Sequence, residues 1–172
     1  GNTNSSNTFV GAGSGGTTSS SVALGVGAGR EAKGDRNVMV GPTNAASGLD
    51  GSLNIAIGQA ALLRTQGDDN IGLGIQSLRD SKGNDNIAIG AGAGADLRGD
   101  FNLALGTASG RGIAATTANP EPAPTNYNTS IGLATVARGG HAVAIGAGID
   151  TGSNYRHGAT ATGEGSVAIG SN

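Results

Sequence analysis

The side chains able to do acid–base, nucleophilic or metal chemistry are few: the chain has no cysteine and two histidines, His141 and His157, and no His pair stands at zinc-ligand spacing. Glycine-rich strings such as Gly90-Ala91-Gly92-Ala93-Gly94 imitate a phosphate-binding loop but lack the lysine and following helix that such a loop needs. The acidic residues do not follow the Gly-Gly-x-Gly-x-Asp pattern of calcium-binding β-rolls. The expectation is a non-catalytic protein with no cofactor and no metal.

One tripeptide, Arg98-Gly99-Asp100, invites an integrin reading, but the same place in neighbouring copies of a repeat reads Lys33-Gly34-Asp35, Gln66-Gly67-Asp68 and Lys82-Gly83-Asn84. The repeat therefore accounts for it as the ordinary filling of a turn. The basic residues Lys33, Lys82, Arg98 and Arg138 form a column suited to a sulfated polysaccharide, with Asp35, Asp68 and Asp100, two positions on in the turn, to balance it.

What positions these residues is a repeat: Asn, aliphatic, small, aliphatic, Gly. It runs as Asn54-Ile55-Ala56-Ile57-Gly58, then again from Asn70 to Gly74, Asn86 to Gly90 and Asn102 to Gly106. Weaker copies close on Gly11, Gly25, Gly41, Gly132, Gly146 and Gly170, so ten copies span the chain, most of them 14 to 17 residues apart. The residue before each closing glycine is aliphatic in all ten copies, and the residue two earlier is β-branched or leucine. Glycine supplies 34 of 172 residues, against roughly 7% in an ordinary chain. A second glycine column (Gly34, Gly51, Gly67, Gly83, Gly99, Gly139, Gly163) marks another fixed turn.

Large apolar residues two apart predict short strands, and 16 residues accommodate two strands of about five plus two tight turns, one coil of a solenoid. Ten coils stacked at ~4.8 Å would stand about 50 Å tall, an all-β parallel β-roll occupying residues 1–172 as one domain. The two aliphatic columns are expected to form internal ladders. The small residue between them, as in Ala56, Gly72, Ala88 and Ala104, would face outward and be covered by another copy of the chain. Asn at the strand entrance is expected to form a structural amide ladder.

Composition narrows the partners. A formal charge of −2 gives no electrostatic footprint for nucleic acid. No apolar run approaches the ~20 residues of a membrane-spanning helix, so no membrane contact by these residues is expected. No signal peptide is visible, so an export signal would lie outside these residues.

The repeat resembles the YadA-like head of trimeric autotransporter adhesins, through copies such as Asn86-Ile87-Ala88-Ile89-Gly90, Ala142-Val143-Ala144-Ile145-Gly146 and Ser166-Val167-Ala168-Ile169-Gly170. The resemblance implies a homotrimeric, left-handed β-roll at the tip of a bacterial cell-surface fibre, followed in the full protein by neck, stalk and outer-membrane anchor. It implies attachment to host cells or to extracellular matrix proteins such as collagen, fibronectin or laminin. Some family heads bind collagen through Asn-Ser-Val-Ala-Ile-Gly followed by Ser. Here Ser166, Val167, Ala168, Ile169 and Gly170 match that motif, with Gly165 in place of its Asn. The copies at Asn54, Asn70 and Asn86 carry Asn-Ile instead.

Two intervals exceed the period by about ten residues, giving insertions at about 107–127 and 147–163. The first carries Pro120, Glu121, Pro122, Pro124 and Tyr127; the second carries Tyr155, Arg156 and His157. Solenoid insertions emerge as surface loops, and tyrosine is an effective contact residue, so both sets are candidate ligand contacts. An alternative reading is a trimeric structural fibre segment, phage tail-fibre-like or a stalk spacer, with no ligand of its own.

Overall fold

A computed structural model of the chain describes residues 6–43, 45–112, 124–148 and 158–171. The described residues contain no helix and fourteen short strands. In chain order these are β1 (Thr8–Val10), β2 (Thr17–Ser19), β3 (Val22–Leu24), β4 (Lys33–Asp35), β5 (Val38–Val40), β6 (Ile55–Ile57), β7 (Ile71–Leu73), β8 (Ile87–Ile89), β9 (Leu103–Leu105), β10 (Thr129–Ile131), β11 (Val136–Ala137), β12 (Val143–Ile145), β13 (Thr160–Ala161) and β14 (Val167–Ile169). Ten of them, one from each copy of the repeat, form a single parallel sheet in the order β1-β3-β5-β6-β7-β8-β9-β10-β12-β14. Register is strict: Ile71 pairs with Ile87 and Ile87 with Leu103, so each residue lies over its equivalent. The result is a parallel β-solenoid of about eight turns.

The second side of the coil is narrower than the expected five-residue strand. It has two small parallel pairs, β2 with β4 and β11 with β13. Between them it is reduced to a chain of single-residue bridges through Lys33, Asp50, Gln66, Lys82 and Arg98. The residues needed for a longer strand are spent on the segment after the closing glycine, where, following Gly25, Gly58, Gly74 and Gly90, every second residue has positive φ. Gly58, Ala60, Leu62 and Arg64 have φ of 132°, 54°, 50° and 54°. This alternation explains the Gly-x-Gly strings: Gly90, Gly92 and Gly94 fill the same positions with φ of 132°, 64° and 59°, where an L side chain is disfavoured.

The faces of the main sheet are the reverse of the sequence expectation. The small central residue points into the coil: Ala23, Met39, Ala56, Ala88 and Ala144 are 0% exposed. The large aliphatics beside it point out of the coil, with Ile57 at 44% and Ile89 at 42% exposure. The physical reason is volume. A 16-residue coil encloses too little space for two large side chains per strand, so only Ala, Gly or Ser fits at nearly every level of its interior. The remaining space is filled from the turns by Leu49, Leu62, Leu78 and Leu97. Size matching accompanies them: a Cβ on Gly72 would stand 2.2 Å from Leu62 Cδ1, and one on Gly94 would stand 2.8 Å from Leu78 Cδ2. Close packing leaves no slack for extra methylenes.

The expected asparagine ladder is present and buried. Backbone N–H groups of Asn70, Asn86 and Asn102 donate to Oδ1 of Asn54, Asn70 and Asn86 in the coil before, at 2.9, 3.0 and 3.0 Å. The side chains of Asn54, Asn70 and Asn86 also donate Nδ2 to the glycine turn of the next coil, at the carbonyls of Gly67, Gly83 and Gly99, the last at 2.9 Å. Both ends of one amide thus tie adjacent coils together where water is excluded, and leaving such partners unsatisfied is costly.

Two substitutions test this arrangement. Ala88→Leu, at the inward position, is expected to lower stability by about 1–3 kcal/mol through overpacking. Asn86→Ala, which orphans the Asn102 N–H and the Gly99 carbonyl, is expected to cost about 1–3 kcal/mol. Urea unfolding followed by circular dichroism reads both; an Ala88→Leu variant as stable as the parent would mean that the inward and outward faces are assigned the wrong way round.

Candidate interaction surfaces

Three surfaces run the length of the solenoid, and each is a column of equivalent residues. The first is the outward face of the main sheet. Its two aliphatic columns, for example Ile55, Ile71 and Ile87 in one and Ile57, Leu73 and Ile89 in the other, are half-buried or exposed throughout. Val26 and Ile75, just beyond the closing glycines, extend the patch at 60% and 53% exposure. A contiguous apolar face of this kind is characteristic of an interface, because monomeric proteins rarely leave so large an apolar area in water.

The second surface is the turn that contains Arg98-Gly99-Asp100. Its acidic and amide side chains reach back to the coil before: the Asn84 N–H donates to Asp100 Oδ1 at 2.7 Å and the Asp68 N–H to Asn84 Oδ1 at 2.8 Å. Ser52 N–H donates likewise to Asp68 at 2.7 Å. One carboxylate oxygen of Asp100 is therefore committed to holding two coils together. Gly83 in this column has φ of 138°, and a Cβ there would lie 2.0 Å from the Gly99 carbonyl oxygen, which is why the position is glycine. Of the basic column, Arg138 is turned onto the backbone, donating to the carbonyls of Arg111 at 2.8 Å and Gly112 at 3.2 Å. Burial, then the nearby Arg111 charge, lowers the pKa of Arg138 from its ordinary value.

The third surface is the segment between the closing glycine and the bridge residue, which carries a string of ion pairs from Arg64 to Arg111. Arg64 grips Asp80 in a bidentate contact at 2.6 and 2.8 Å. The hydrogen bond to Asp80, then its charge, raises the Arg64 pKa. Arg79 also meets Asp80 at 3.2 Å, and Arg111 meets Asp96 at 3.5 Å. A shallow cleft of about 190 Å³ lies between Arg79 and Arg111, floored by Ala91, Gly92 and Ala95. Such exposed pairs each contribute at most about 1 kcal/mol.

The candidate contact residues fall in different places. Pro120, Glu121, Pro122, Tyr155, Arg156 and His157 lie outside the described residues. Pro124 is exposed, and the chain after it rejoins the coil ladder through the Thr125 N–H to the Arg98 carbonyl at 2.8 Å. At the other end of that segment, Ala108 and Gly112 still donate to the coil before, to Ala91 and Ala95. Tyr127 is part of a regular turn, stacked between Phe101 and His141 on adjacent coils. Sequence reasoning gave Phe101 and His141 no role; the signal was present in the column five residues before each closing glycine. Ser166 to Gly170 lie in and beside β14, the last strand of the sheet, with Ile169 75% exposed.

Among the described residues no group of three or more His, Cys, Asp or Glu side chains converges to hold a metal ion, and no helix is long and apolar enough to cross a membrane. Comparison with protein-family models, with curated proteins and with solved structures finds no match.

The committed oxygen of Asp100 makes a distinguishing prediction. Asp100→Asn is expected to leave thermal stability within about 0.5 kcal/mol, because Asn84 performs the same bonding one coil away. Asp100→Ala is expected to cost about 1 kcal/mol by removing the acceptor. Equal stability of both variants in a thermal melt would show that the bond contributes nothing.

Proposed function

We propose that this chain is the head of a trimeric bacterial surface adhesin that attaches to host cells or extracellular matrix without catalysis. The observation that carries the reading is the outward aliphatic face. Two columns of Val, Ile and Leu, interrupted in one of them by Thr8 and Thr129, run along a stiff solenoid and require a cover, and the same face on other copies of the chain is the cover of matching length and period. Burying one such side chain fully contributes about 1.5–3 kcal/mol, and the columns offer this at every coil. Three rods joined along these faces would leave the corner turns outward. The resemblance of the repeat to YadA-like heads supports three as the number and the bacterial cell surface as the location.

In this reading the ligand is a repetitive matrix protein such as collagen, fibronectin or laminin. Three identical sets of sites on a rigid rod raise avidity without tight individual contacts. The inserted segments and the strand from Ser166 to Gly170 are the proposed contact regions.

Sedimentation equilibrium of the purified chain is expected to give three times the 16.4 kDa chain mass. The double variant Ile57→Asp/Ile89→Asp is expected to sediment as a monomer, because a charge at either level would be buried unpaired in the interface. Binding to immobilised collagen, laminin and fibronectin is expected for the parent and strongly reduced for the monomeric variant. A trimer that binds none of the three would favour the structural fibre segment; a stable parent monomer would remove the basis of the proposal.

A further inference from the structure

The column five residues before each closing glycine has one backbone conformation and a changing set of side chains. Asp85, Phe101, Tyr127 and His141 have φ of 56°, 57°, 58° and 52°. Each donates its N–H to the coil before in the same way: Phe101 to Asn84 at 3.1 Å, Tyr127 to Asp100 at 3.0 Å and His141 to Asn126 at 3.0 Å. The coil spacing thereby stacks three rings. Phe101 and Tyr127 have centroids 5.0 Å apart and planes 2° apart; Tyr127 and His141 are 4.8 Å and 14° apart.

The next residue in the column is Gly165. Its φ is 63°, and its N–H donates to the Gly140 carbonyl at 2.9 Å, so it occupies the fourth level of the same stack. It contributes no side chain, and among the described residues, its chain neighbours Glu164 and Ser166 aside, no atom lies within 4 Å of where its Cβ would stand. The outer face of His141 is therefore open at the level where a fourth ring would lie. A cleft of about 260 Å³ adjoins it, lined by Tyr127, His141, Gly140, Asn126, Pro124 and Glu164 among others.

Glu164 supplies the charge. It occupies the position at which Asp100 and Asn126 spend a side-chain oxygen on the backbone of the coil before. Beneath Glu164 that backbone is Gly140, whose N–H goes to Asn128 Oδ1 instead, at 3.0 Å. The exposed Glu164 carboxylate is left uncommitted among the described residues.

We propose that the open level above His141 receives the guanidinium group of an arginine side chain from a partner protein. The floor of the space is the planar ring of His141, so a planar occupant stacks on it best. It is bordered by the Glu164 carboxylate, so the occupant is cationic and donates hydrogen bonds in its own plane. Guanidinium meets all three conditions, stacking on rings while its edge pairs with carboxylate. An alkylammonium has no plane to stack, and an uncharged ring leaves Glu164 unpaired. The site is built by one protomer and depends neither on trimer formation nor on matrix attachment.

The test is an NMR titration of the full chain at pH 8 with Nα-acetyl-arginine methylamide, following the ring protons of His141 and Tyr127. The lysine analogue and methyl α-glucoside serve as comparison probes. Saturable shifts at His141 are expected with the arginine probe, weaker ones with lysine and none with the glucoside. Glu164→Gln is expected to weaken the arginine response several-fold. Gly165→Phe, which places a ring in the fourth level at a φ that Phe101 already adopts, is expected to abolish it. Absent or linear shifts, an equal response to lysine or glucoside, shifts confined to His157, or an unchanged response in Gly165→Phe would each overturn the proposal.

Discussion

Every residue in this solenoid must tolerate its own equivalent stacked about 4.8 Å above and below it. That constraint decides what each column can contain. Backbone carbonyls of successive closing glycines come so near one another that a Cβ on Gly74 would lie 2.8 Å from the carbonyl group of Gly90. Asparagine suits the strand entrance because one amide can accept from and donate to the next coil at once. Asp, Asn or Ser suits the outer turn because each has an oxygen that reaches the coil before. These two ladders point in opposite directions at the same corner, so adjacent coils are bonded from both sides.

Stacking also limits the interior. The core consists largely of alanine, closed by a leucine or methionine wherever a neighbouring glycine makes room. A second, smaller cluster around Ala137, Ala142, Ala144 and Ala161 continues it towards β14. A core this thin buries little apolar area per residue, so much of the stability must come from bonded coils and from whatever covers the outward aliphatic face. That link between a narrow interior and an apolar exterior is the strongest structural argument for association of the chain with copies of itself.

The same geometry turns surface side chains into regular arrays. A residue type repeated in one column becomes a stripe, as with the aliphatic face and the ion pairs from Arg64 to Asp96. A type that changes along a column gives a local feature at a defined height, as with the three rings that begin at Phe101 and stop at Gly165. Surface features are therefore distributed along the solenoid, and one level can be altered without disturbing the bonds that hold the others.

The coil length, the positions of the ten main-sheet strands, their parallel register and the structural use of Asn54, Asn70, Asn86 and Asn102 were legible in the sequence, because a repeat in strict alignment has one way of stacking on itself. The sequence also explained Arg98-Gly99-Asp100 as a turn. It did not determine which face of the strand lies inside: alternation separates large from small side chains but carries no sign, and Ile55, Ala56 and Ile57 read equally well in either sense. Only the closed coil decided that, since its enclosed volume admits alanine and expels isoleucine. The tertiary structure likewise brought Phe101, Tyr127 and His141 together, because residues 26 and 14 apart along the chain become neighbours only when the intervening segments return to the same corner.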